Sequence, residues 1–275
     1  MKHLRFHLFL HTALLFSISQ GIALAIIDQL RNLALVESSI SQSEIPFFQF
    51  LLFFFAATAF FLILLQLYKG VFLYRFIFFI IVFTGLLKVF ELVFPFSLSI
   101  IVSGFFIGGL LLLPLVWVHN LIVVLAGAGI GAVFGLQFQW EYAYLLLGAL
   151  SVYDGIAVLV TRHMISLAHE LIKRQATFAL FIPERWRDLR VNLSNIKPGS
   201  GFLILGGGDV VLPMIFLTSL YLQKPQYVLG VFIGMLGGLF LNHYILVRMQ
   251  KPLPALPLIT LGAFIGLVVN NFLAL

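Results

Sequence analysis

The 275-residue chain has no cysteine, which excludes disulfides, thiol nucleophiles and cysteine-held metals. It is almost as poor in charge: Asp, Glu, Lys and Arg together make up 9%, too little to solvate a water-soluble domain of this length. Its apolar runs do not alternate with polar residues at period two, so a β-barrel is excluded as well. What the chain has in excess is hydrophobic residues, 62% of the total, at a mean hydropathy of +1.13. They fall in repeated runs of about 20, the length of a helix that crosses a bilayer. The composition therefore predicts an all-α polytopic membrane protein. The net charge of +6 is too dispersed for a nucleic-acid surface and reports membrane orientation instead.

Nine spans are expected, over 8–27, 46–67, 71–94, 98–118, 121–137, 141–161, 201–222, 226–247 and 254–273. With the N-terminus cytoplasmic, that side receives Lys2, Arg5, Lys69, Arg75, Arg162, Lys173, Arg174, Arg185, Arg187, Arg190, Lys197, Arg248 and Lys251. The opposite side receives only Arg31, Lys88 and Lys224. Thirteen against three places the N-terminus inside by the positive-inside rule, and nine crossings leave the C-terminus outside. Basic Lys2 and Arg5 followed by an apolar run and Ala23-Leu24-Ala25 also fit a cleavable signal peptide. The run continuing to Ile27 favours a retained helix. Residues 1–140 form an N-terminal five-helix bundle on this reading, and 141–275 carry the chemistry.

Most polar residues in the spans have structural explanations. Lys88 and Glu91, three apart near a span end, are expected to pair, and Arg75 to snorkel. Phe53, Phe54 and Phe55 are expected to face lipid or fill packing gaps. Gly104, Gly108, Gly127, Gly131, Gly135, Gly234 and Gly238 have the small-residue spacing of close helix packing. His119-Asn120 reads as a tight cytoplasmic turn, and Asn242-His243 as an interfacial pair.

Two acids resist such explanations. Asp154, after Tyr153, lies within the sixth span, and Asp209, after Gly206, Gly207 and Gly208, within the seventh. An ionisable group in a membrane is expensive and marks function by default. Glycines beside it leave backbone bare for another chain to approach. Between these spans, 162–200 is the long hydrophilic connection, with an amphipathic helix expected over Arg162–Gln175 and an apolar patch over Phe178–Pro183. The ninth span opens on Lys251-Pro252-Leu253-Pro254-Ala255-Leu256-Pro257, which cannot start as regular helix. Irregular backbone in a membrane must be buried in protein or line a wet cavity. A helical rise of about 1.5 Å per residue puts both aspartates about 12 Å from the cytoplasmic boundary, and extended chain carries Ala255 to about 13 Å.

Two carboxyls facing each other at one level share a proton and titrate as a pair. The ionised member takes a proton from water while the protonated one hydrogen-bonds a scissile carbonyl, which is aspartic-protease chemistry. It needs no metal or other cofactor. The substrate must be extended, and backbone around Leu205, Gly206, Gly207, Gly208, Leu253, Pro254, Ala255 and Leu256 is placed to pair with it by strand addition. The same two acids also fit a proton relay in a transporter or ion leak.

At these residues the chain resembles the presenilin and signal peptide peptidase family of intramembrane aspartyl proteases. Tyr153-Asp154 matches its YD motif, Gly206 to Asp209 its GxGD motif, and Pro254-Ala255-Leu256 its PAL motif, in order and on the expected spans. The resemblance covers about 141–275. It implies a presenilin-like fold and an endopeptidase that cuts transmembrane segments or remnant signal peptides. It also implies a dyad of Asp154 and Asp209, with Tyr153 among the residues shaping it. Pro257 after the PAL motif and the cytoplasmic N-terminus look like presenilin, since signal peptide peptidases are inverted. The Asp209-Val-Val-Leu-Pro continuation looks like the peptidase branch and microbial members. Compact connections suggest a microbial homologue in a cell membrane, with lipid and a transmembrane peptide as partners. It would need no obligatory protein subunit, and self-association stays open, as does self-cleavage of the loop. Prepilin-type peptidases share a GxGD signature, but the PAL segment and the missing cysteines count against them. Two positions depart from the family pattern: Gly207 stands where leucine is usual, and Ile204 where presenilins carry a lysine.

Overall fold

The computed structural model describes residues 2–32, 48–49, 52, 56, 71–160, 171–172, 177–196, 201–249 and 253–273. The expected second span, with Phe53 to Phe55, falls outside the described residues except at isolated positions, as does the amphipathic helix over Arg162–Gln175. Eight long helices are described: α1 (Lys2–Asn32), α2 (Val71–Phe90), α3 (Phe96–Leu112), α4 (Val116–Gln137), α5 (Trp140–Leu159), α6 (Gly207–Gln223), α7 (Val228–Met249) and α8 (Leu256–Leu273). Among the described residues five regions are long and apolar enough to cross a membrane, namely Phe6–Arg31, Phe72–Phe90, Val116–Gln137, Trp140–Leu159 and Pro225–Met249. The helices α3, α6 and α8 are apolar but shorter.

The centre of the bundle is α4 and α6, with α1 packed on both and α2 on the far side of α4. Small residues make this possible. A methyl group on Gly131 would strike Met214, and one on Gly135 would strike Thr218. Thr218 instead donates to the Gly131 carbonyl at 3.2 Å. The same logic knits α7 to α8, where the backbones of Gly230 and Gly266, and of Gly234 and Gly262, leave no room for a Cβ. The expected packing roles of Gly127, Gly131, Gly135, Gly234 and Gly238 fit these contacts. Gly104 and Gly108 differ, since an added Cβ there meets nothing among the described residues. Lys88 and Glu91 pair at 2.9 Å as expected.

Three elements differ from the sequence reading. The break between the fourth and fifth spans lies at Leu113–Leu115, around Pro114, and not at His119-Asn120, which are buried inside α4. Pro114 has no N–H to bond the Leu110 carbonyl and carry α3 onward. The loop 191–193 takes up the exposed backbone instead: Val116 N–H donates to the Val191 carbonyl at 3.1 Å and Leu193 N–H to that of Pro114 at 2.8 Å. Secondly, the seventh span is not helical throughout. Its first part is strand β2 (Phe202–Gly206), and α6 is only 17 residues long. Thirdly, the apolar patch expected over Phe178–Pro183 is strand β1 (Ala179–Pro183), buried along its whole length. The two strands pair antiparallel, Ala179 opposite Gly206 through to Pro183 opposite Phe202. An apolar run of five residues does not by itself tell strand from helix.

Candidate active site

The strand pair is clamped from one side. Asn120 of α4 donates from Nδ2 to the Phe181 carbonyl at 2.7 Å and accepts from the Phe181 N–H at Oδ1 at 2.9 Å. His119 Nε2 meets the Ala179 carbonyl at 3.0 Å. The outer edge of β1 is therefore occupied by side chains. The ladder continues past the strand ends, because Gly207 N–H donates to the Phe178 carbonyl at 2.8 Å.

This fixes the facing of β2. Phe181 turns its polar backbone away from β2, towards Asn120, so its partner Ile204 turns its own N–H and C=O to the opposite side by the alternation of an antiparallel ladder. Phe202 and Gly206 share that facing. Among the described residues no bond takes up the N–H and C=O of Ile204. Leu205 points its side chain into the core at 5% exposure.

Gly206 caps α6, with φ −60° and ψ 142°, and Asp209 sits in the first helical turn. The Asp209 carboxyl hydrogen-bonds back to the backbone of Gly206, the reciprocal contact of an acid at the third helical position. Because β2 precedes it, Asp209 is reached by extended chain, and the depth estimate from helical rise does not hold for it. Gly207 has a steric reason to depart from the leucine pattern: a Cβ there would run into the ring and carbonyl of Phe178. Gly208 is exposed and its Cβ position is open.

Asp154 lies in the last third of α5, half-buried. Its carboxyl receives the backbone N–H of Leu256 and acts electrostatically on that of Asp209, while its Oδ2 has no hydrogen-bond partner. Leu253 and Pro254 are not helical, Ala255 is a bend, and α8 begins at Leu256. Pro254, Ala255 and Leu256 are all buried, and Pro257 approaches Gly155 one residue beyond Asp154. Asp154 thus lies against the start of α8 and within electrostatic reach of Asp209. Tyr153, by contrast, is 40% exposed on the bundle surface. Among the described residues no group of three or more His, Asp or Glu side chains is arranged to hold a metal.

Four side chains have roles here that the sequence reading did not give them. His119 and Asn120 hold the strand, Phe178 fills the space beside Gly207, and Gln20 of α1 donates to the Val210 carbonyl at 3.1 Å. A lone glutamine in an apolar span was the visible signal for the last.

The profile of the family described as signal-peptide peptidase, presenilin aspartyl protease matches residues 13–275. No curated protein matches significantly. Two solved structures share the fold, each described as a presenilin family intramembrane aspartate protease, one in a C222 and one in a P2 crystal. The first gives a TM-score of 0.67 at 23% identity, covering 96% of this chain and 99% of that one. The second gives 0.68 at 24%, covering 96% and 97%. Together with the helical bundle of presenilin type, the family match establishes that the chain belongs to the signal-peptide peptidase and presenilin family of intramembrane aspartyl proteases.

Proposed function

We propose that Asp154 and Asp209 are the catalytic pair and that the substrate is an unwound transmembrane segment added as a strand to β2. The observation that carries this is that the Asp154 carboxyl takes the backbone hydrogen bond of Leu256 and lies within electrostatic reach of the Asp209 carboxyl. One aspartate, ionised, takes a proton from water; the other, protonated, donates to the scissile carbonyl, so the pair must hold one proton between them. The attacking water adds to the carbonyl carbon, and the tetrahedral intermediate collapses as a proton passes to the leaving nitrogen.

The free edge of β2 supports the strand-addition reading. Ile204 offers an N–H and a C=O to an incoming chain, and the strand then runs through Gly206, whose backbone is bonded to the Asp209 carboxyl, to the turn that carries that acid. Bare backbone at Gly208 leaves space beside the acid. The Leu253–Leu256 segment borders the Asp154 side. A helical substrate shields its own amides, so local unwinding precedes cleavage.

The fuller topology belongs to this proposal: nine spans, N-terminus cytoplasmic, C-terminus outside, with α1 retained, in the cell membrane of a microbe. Substrates are transmembrane peptides or remnant signal peptides, and no obligatory subunit is required. The test is mass spectrometry of a generic transmembrane peptide incubated with the purified protein in bilayers. Cleavage by wild type, blocked by an aspartyl-protease inhibitor and absent in Asp154→Asn and Asp209→Asn, is expected. Unchanged cleavage by either variant rejects the pair.

A further inference from the structure

Gln20 is 1% exposed in the middle of α1, where a polar amide is costly unless bonded. Two other buried polar side chains of α1, Thr12 and Ser19, satisfy themselves on carbonyls of their own helix, at Leu8 (2.8 Å) and Phe16 (2.7 Å). Gln20 alone among them reaches across to another helix, donating from Nε2 to the Val210 carbonyl at 3.1 Å. Its Oε1 is buried without a hydrogen-bond partner, so the Val210 carbonyl is its anchoring contact.

The place of that contact matters. Val210 follows Asp209, in a turn that lacks one backbone bond to the rest of its helix. Pro213 lies inside α6 and lacks the N–H that would bond the Asp209 carbonyl four residues back. On its other side the turn is capped by glycine and hangs from Phe178 through Gly207 N–H. Among the described residues, the Gln20 amide is the one side chain from outside α6 that bonds the backbone of 207–211.

We infer that Gln20 is a positioning residue, a tether from α1 that sets the first turn of α6 and so aims the Asp209 carboxyl at its partner. The inference rests on the assignment of Asp209 made above. Losing the tether lets the turn shift without unfolding the bundle, so the catalytic step suffers rather than substrate binding. Interhelical side-chain bonds in membranes average about 0.6 and reach about 1.7 kcal/mol, which translates to roughly a 3- to 20-fold loss of kcat.

The experiment measures cleavage of a transmembrane peptide by full-length protein in bilayers, with thermal unfolding followed in parallel. Gln20→Met keeps the volume and removes the amide; kcat is expected to fall by that factor, with KM and the unfolding midpoint near wild type. Gln20→Glu adds a signature that packing alone would not give. Its neutral form donates an O–H to the Val210 carbonyl and its ionised form cannot, so activity relative to wild type should recover as pH falls. Wild-type kcat in Gln20→Met, a loss that merely follows unfolding, or a Gln20→Glu deficit that no pH relieves would each overturn the inference. An Asp209→Asn arm separates the two levels. If it still cleaves, the aspartate assignment fails; if it is dead while Gln20→Met is fully active, only the tether fails.

Discussion

The two aspartates are held in different ways. Asp209 sits where a strand becomes a helix, with α1 and α4 packed on that helix and Asn120 and His119 pinning the strand pair behind it. Asp154 rides on α5, whose neighbouring side chains Val152 and Ile156 are 64% and 50% exposed, and its named backbone contact comes from Leu256. One acid opens a helix packed against two others; the other is carried by a more exposed helix and bonded by the start of α8. A protease that admits a helix from the bilayer needs a fixed reference and a side that yields. On the proposed pairing of the two aspartates, α6 is placed to be the reference and α5 the side that yields.

The largest effect tests the pair itself. Asp154→Asn and Asp209→Asn should each reduce cleavage by roughly 10²–10⁴-fold, the range of a lost general acid or base, with helical content by circular dichroism unchanged. Breaking the reference side comes next. Asn120→Leu strips the Phe181 N–H and C=O of their partners, at about 1–3 kcal/mol per buried group, and should lower both the unfolding midpoint and kcat. Gly207→Leu forces a side chain into Phe178 and should cost about 1–3 kcal/mol. The double variant with Phe178→Ala should recover part of it, measurable as a coupling energy in a double-mutant cycle. On the yielding side, Val152→Ala should change stability by less than about 0.5 kcal/mol. A large loss there would erase the distinction between the two helices.

The chemistry was more legible in the sequence than the backbone that supports it. Intramembrane acids stand out because a bilayer penalises them, and prolines at 252, 254 and 257 announce irregular chain. The strand at Phe202–Gly206 did not stand out, because Phe-Leu-Ile-Leu is equally at home in a buried helix and only pairing with Ala179–Pro183 decides it. His119-Asn120 misled for a related reason. Two polar residues between apolar runs look like a turn until a buried strand is found whose backbone they satisfy. The true break, at Leu113–Leu115, is apolar apart from its bonds to the loop at 191–193. Gln20 was not singled out, and nothing in the sequence points to its partner, 190 residues away.

The glycine contacts between α7 and α8 have a mechanical outcome. With Gly230 against Gly266 and Gly234 against Gly262, backbone on backbone, neither helix can slide or rotate without collision, so the hairpin moves as one stiff plank. Leu256, whose amide steadies Asp154, is the first residue of its second half. Any parting of α5 from α8 wide enough to pass a polypeptide must therefore swing the whole plank, α7 included, or bend the chain at Leu253–Ala255, just ahead of it.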